Sequence, residues 1–110
     1  MIIFHIYITL WINGYSKNNI PIRLTSERWL HIVENHDDMA GYYDEVLRTI
    51  EDPDFMIEGY KGALISLRKF SEDKFLAVVY KEFSKKDGFI ITAYFTRKLK
   101  LEKEVIIWQR

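Results

Sequence analysis

Between residues 55 and 96 the chain carries four short apolar runs, each separated from the next by a few polar or glycine-containing residues, and this restricts the fold more than any other feature. Phe55 to Tyr60 is followed by Lys61-Gly62, Ala63 to Phe70 by Ser71-Glu72-Asp73-Lys74, and Phe75 to Phe83 by Ser84-Lys85-Lys86-Asp87-Gly88. Loops this short join antiparallel neighbours, so the runs predict a four-stranded meander. The last run, Gly88 to Thr96, sets Phe89, Ile91, Ala93 and Phe95 on one face and Ile90, Thr92, Tyr94 and Thr96 on the other, because side chains alternate along a strand. The first face has the larger continuous apolar area and is expected to lie under the helices. The second carries hydroxyls in a row and is expected to stay open.

Two helices are predicted ahead of the meander. Ile22-Arg23-Leu24 is a brief extended piece that delivers Thr25 or Ser26 as an N-cap, and Glu27 stands where the helix dipole favours a carboxylate. From about Ser26 to about His36, Trp29, Ile32, Val33 and His36 recur at helical spacing, whereas His31 falls on another face near Glu27, Arg28 and Asn35. Asp37-Asp38 caps a second helix with Met39, Tyr42, Tyr43, Val46, Leu47 and Ile50 as its buried stripe and Gly41 as a weak point in its first turn. Pro53 ends it, since the residue before a proline is pushed out of helical geometry.

Residues 2 to 12 alternate strictly and read as an additional N-terminal strand, with Asn13-Gly14 as a hairpin signal after it. An apolar strand of that kind must be covered, paired within the chain, or used for homodimerisation. It falls well short of the roughly 20 residues that span a bilayer and has neither a basic leader nor a small-residue cleavage site, so no membrane association is expected. Val105 to Trp108 reads as a short terminal strand. The 110 residues, 48% of them hydrophobic, suit one domain over positions 1–110, of α+β class: an N-terminal strand and two helices on one face of a curved antiparallel sheet of four or more strands.

Sixteen basic residues balance sixteen acidic ones, so a nucleic-acid partner has to be held by a local patch. The absence of cysteine excludes disulfides and thiolate metal sites and suits a cytoplasmic location. His31 and His36 are five residues apart, not the four that place paired zinc ligands on one helix face, so neither a metal nor a cofactor is expected. His36 is either a hydrogen-bonded core residue or, at the helix end, a group turned toward the sheet. Lys81 and Arg68 are cations within strands. If Phe83 opposes Phe89, Tyr80 and Glu82 join Thr92 and Tyr94; one residue of slip, or a bulge at Gly88, brings Lys81 there instead. Histidine, cation, threonine and tyrosine together suit phosphodiester cleavage by the 2′-hydroxyl of RNA, with the histidine moving the proton, the cation stabilising charge on phosphate, and the hydroxyls holding its oxygens.

These residues also carry a resemblance. Arg23-Leu24-Thr25, Trp29, His31-Ile32, His36, Pro53-Asp54, Val78-Val79-Tyr80-Lys81 and Gly88 to Thr96 make residues 22 to 98 similar to small bacterial and phage proteins grouped with the barnase, EndoU, colicin and RelE fold of nucleases. The resemblance implies helices on a curved antiparallel sheet, with a metal-independent ribonuclease site on the sheet's open face. It implies toxin-antitoxin or phage-conflict settings, with RNA as substrate, transfer or messenger, and an antitoxin protein as partner. Its implied site draws on His31, His36, Lys81, Thr92 and Tyr94, with Arg68 and Thr96 beside them; Tyr80, from the register above, is a further expected substrate-binding group. A reading from another class is a catalytically silent module that uses the same face to bind RNA, a peptide or a second copy. Convergence of a histidine, a cation and Thr92 in one cleft distinguishes the enzyme from the module.

Overall fold

The computed structural model describes residues 13–97 and 99–110. The predicted N-terminal strand, and any dimer contact through it, lies outside the described residues. Asn13-Gly14 is not a turn: Gly14–Tyr15 is a strand, β1, and the chain reverses over residues 16–20, with Asn19 at a φ of 64°, to pair with β2, Pro21–Arg23. The Asn13 side chain instead accepts a hydrogen bond from the Leu24 amide at 2.7 Å, which explains a residue read as a turn former.

Helix α1 spans Ser26–Asn35, and Thr25 is its N-cap, accepting from the Arg28 amide at 3.1 Å. The second predicted helix is interrupted. Asp37–Met39 forms a single tight turn, Gly41 takes a φ of 87°, and α2 begins only at Tyr43, running to Glu51. A left-handed residue ends a helix, so Gly41 separates two elements where the apolar stripe predicted one.

Strands β3 (Phe55–Glu58), β4 (Leu64–Ser71), β5 (Lys74–Ser84) and β6 (Asp87–Thr96) follow, and β7 (Ile106–Gln109) closes the chain. They form one seven-stranded sheet in the order β1-β2-β6-β5-β4-β3-β7. The expectation of an all-antiparallel sheet is corrected: β2 pairs in parallel with β6, and β7 adds antiparallel to β3 at the far edge, so the sheet is mixed. The sheet curls enough that the Lys17 ammonium, in the β1–β2 turn, stands 4.8 Å from the centre of the Trp108 ring on β7. Ile32 of α1, Met39, and Val46 and Ile50 of α2 pack on Ile22, Leu24, Met56, Leu76, Val78, Tyr80, Ile90 and Ala93, all nearly inaccessible to solvent. Removing this apolar surface from water is the main force holding the helices to the sheet.

A bulge in β6 changes which side chains share a face. Val79 opposes Thr92 and Tyr80 opposes Ile90, leaving Ile91 as the extra residue. Alternation reverses there, so Ile90, Ala93 and Phe95 lie toward the helices, in place of the predicted set of Phe89, Ile91, Ala93 and Phe95. The opposite face is not fully open either. To reach β7 from β6 the chain has to cross the sheet, and on the way Leu99 and Leu101 pack with Tyr94 on Ile57, Leu67 and Ala77.

Candidate functional site

Beyond Phe89 the ladder of β2 with β6 ends, and α1 lies along the part of β6 that has no strand neighbour on that side among the described residues. Two contacts seat it there. Ile32 is buried in the main core, and the Arg28 guanidinium donates to the carbonyl of the bulged Ile91 at 3.4 Å. The space between helix and strand is a groove of about 270 Å³ lined by Arg28, His31, Ile32, Asn35, His36, Ile91 and Thr92. Two imidazoles, a guanidinium and a threonine hydroxyl therefore line one shallow cleft.

His31 is exposed, its Nδ1 3.9 Å from a Glu34 carboxylate oxygen. His36 is part-buried at the C-terminal cap of α1, and its ring centre lies 5.8 Å from that of Tyr94. Burial raises the Tyr94 phenol above its ordinary value, and the nearby Glu104 carboxylate raises it further. Both causes keep Tyr94 protonated, suited to donating a hydrogen bond rather than accepting a proton. Glu104 comes from the segment that crosses the sheet, so that segment influences the site electrostatically.

The remaining expected groups are distributed differently. The register sets Lys81 opposite Phe89, which puts Lys81 on the Thr92 face, but its ammonium extends away from β6 to the Lys61 carbonyl at 3.5 Å. Tyr80 is completely buried on the helix side; its phenol accepts from the Ser66 hydroxyl at 3.2 Å, and burial pushes its pKa up to about 12. Arg68 shares that side, 3.6 Å from the Glu45 carboxylate of α2. Both belong to the helix face because Leu64, Ser66 and Arg68 alternate on β4 in step with Leu76, Val78 and Tyr80 on β5. Thr96 opposes Phe75 and borders a separate groove of about 430 Å³ with Asp38, Lys74, Phe95 and Arg97.

Arg28 was not among the candidate residues, although its signal was present. Arg28, His31 and Asn35 recur at i, i+3 and i+7, one helix face, and the single cation on that face is the one that reaches β6. Among the described residues no group of three or more histidine, aspartate or glutamate side chains could hold a metal ion. No described helix is long and apolar enough to cross a membrane. No protein-family model matches the chain, and comparison with curated proteins and with solved structures finds no match.

Proposed function

We propose that the protein is a metal-independent endoribonuclease of the kind the sequence resemblance implies, acting on RNA in the cytoplasm. The observation that carries this reading is the groove shared by Arg28, His31, His36 and Thr92. His31 and His36 are separated by roughly 7.5 Å along the helix, five residues at 1.5 Å each. Both line the groove, and in the proposed mechanism one imidazole stands on each side of an in-line displacement at phosphorus. The first takes the proton of the 2′-hydroxyl as its oxygen bonds to phosphorus; the bond from phosphorus to the 5′-oxygen breaks, and the second imidazolium gives that oxygen its proton. Arg28 balances the charge on the non-bridging oxygens, and the Thr92 hydroxyl holds one of them. Imidazoles supply both proton transfers, so this step needs no metal ion. A toxin of this type is held in check by an antitoxin protein that covers the groove.

The test uses purified protein and a short single-stranded RNA in the presence of a chelator. Cleavage should persist, leave a 2′,3′-cyclic phosphate, and stop when the nucleotide at the cut carries a 2′-deoxy sugar. Absence of cleavage by folded protein, or cleavage only with a divalent metal, would favour the silent binding module, which the zero net charge suits.

A further inference from the structure

At the β5–β6 turn end of the sheet, a row of rings and ammonium groups stands on the surface outside the groove. Phe83 is 67% exposed, and its ring centre is 6.0 Å from that of Phe89 with the planes tilted by 38°. The Lys81 ammonium lies 5.9 Å from the Phe83 ring and 3.5 Å from the Lys61 carbonyl. Lys61, at a φ of 52°, places its own ammonium 5.4 Å from the ring of Tyr60, which is 82% exposed. The row thus runs Phe89, Phe83, Lys81, Lys61, Tyr60, with aromatic faces at both ends and cations between them.

Its charge is uncompensated by the carboxylates of the β5–β6 hairpin, each of which is bound elsewhere. Glu82 accepts from Ser16 at 2.6 Å and Asn18 at 3.0 Å, and Asp87 is paired with Arg23 at 2.8 Å. Lys85 and Lys86, both exposed in the turn, add positive charge at the Phe83 end. Burying two large rings is favourable in any protein, and Phe83 and Tyr60 left in water beside cations suit an occupant with flat apolar faces and regular negative charge. Unpaired bases on a phosphate backbone have both.

We infer that this row is a docking platform for single-stranded nucleic acid, with bases stacking on Phe83 and Tyr60 and phosphates meeting Lys81 and Lys61. Lys81 opposes Phe89 and lies two residues along β5 from Val79, the partner of Thr92, so the platform is continuous with the candidate groove. It rests on the nuclease reading only for the direction in which the bound strand continues; binding itself does not depend on cleavage.

The experiment measures binding of a labelled oligodeoxythymidylate, which lacks the 2′-hydroxyl and cannot be cut by the proposed chemistry. This separates failure of the platform from failure of the nuclease. Phe83→Ala and Tyr60→Ala should each weaken binding roughly tenfold without changing its salt dependence. A Lys61→Ala/Lys81→Ala double variant should flatten the slope of log affinity against log salt by about 1.4, two phosphate contacts at about 0.7 each. Tyr60, Lys61 and Phe83 are exposed and the half-buried Lys81 ends in a surface ammonium, so melting temperatures should change little and should confirm that each variant is folded. No binding by the unmodified protein, or binding indifferent to Phe83 and Tyr60, overturns the proposal. So does a concentration-dependent dimer that Phe83→Ala abolishes, which would assign the rings to self-association.

Discussion

The ring of His36, at the end of α1, lies 5.8 Å from the ring of Tyr94 on β6, tilted by 35°. This contact joins the helix that carries both candidate histidines to the strand that carries the hydroxyls. It gives His36 a packing role beside its proposed chemical one, while His31, on the exposed side, has no comparable ring contact among the described residues. Substitutions at the two positions should therefore have different consequences.

His31→Ala should lower the single-turnover rate of RNA cleavage by roughly 10²–10⁴-fold with little change in melting temperature. His36→Gln should lower the rate similarly and also lower the melting temperature, because the ring contact is lost. Tyr94→Phe keeps that contact and should leave stability near the unmodified value. Full activity in both histidine variants would remove them from the mechanism.

Glu104→Gln should lower the pKa of Tyr94, as followed by the ultraviolet absorbance of the phenolate. Burial is the larger cause of the rise, so the value should move toward 10.0 without returning to it. Glu102→Gln serves as a control on the same crossing segment. An identical Tyr94 titration in both variants would mean that Glu104 does not face the phenol in solution.

Tyr80 predicts a pH dependence confined to alkaline solution. Its pKa rises from 10.0 to about 12 on folding, so the folded state holds the proton more tightly than the unfolded chain. The associated stability is complete below pH 10 and is lost as pH rises through about 12. Two units correspond to about 2–3 kcal/mol, as an order of magnitude. Denaturant unfolding of the unmodified protein and of Tyr80→Phe should show a steeper alkaline decline in the former. Parallel declines would assign the loss to other groups.

At Gly88, β6 lies close against both β2 and β5. A Cβ built there would lie 2.6 Å from the Ile22 side chain and 2.6 Å from the Lys81 carbonyl oxygen. Gly88→Ala should cost about 1–3 kcal/mol of stability, the usual range for overpacking. Shortening Ile22 to valine in the same chain should recover only part, since the carbonyl oxygen belongs to the backbone. A denaturation midpoint unchanged by Gly88→Ala would show that the strands can separate at no cost.

The strands and the first helix were legible because their signals are local. Period-two alternation marked β4, β5 and β6 to within a residue or so, and Thr25 followed by an apolar stripe marked α1. The same local reading failed at Asn13-Gly14, where a strong turn pair serves as a strand start, and at Gly41, where an apolar stripe runs across two separate elements. It left open whether Tyr80 and Glu82 or Lys81 share the Thr92 face, and the register with its bulge at Ile91 puts Lys81 there. Four of the expected site residues, His31, His36, Thr92 and Tyr94, gather along the α1–β6 contact, whereas Tyr80 and Arg68 lie on the helix side of the sheet.

The sequence by itself determined the strands β3 to β6 and the first helix with its start at Thr25, and it named histidines and hydroxyls as candidates without deciding whether they meet. These depend on side-chain alternation and capping, which act over a few residues. Only the tertiary structure decided the bulge at Ile91, the meeting of Arg28 with its carbonyl, the turn of Lys81 toward Lys61, and the packing of Leu99 and Leu101 across the sheet. Each of these depends on pairing or packing between residues ten or more positions apart in the chain. A shift of one residue in such a pairing reverses the face of every side chain beyond it, and no local pattern encodes that choice.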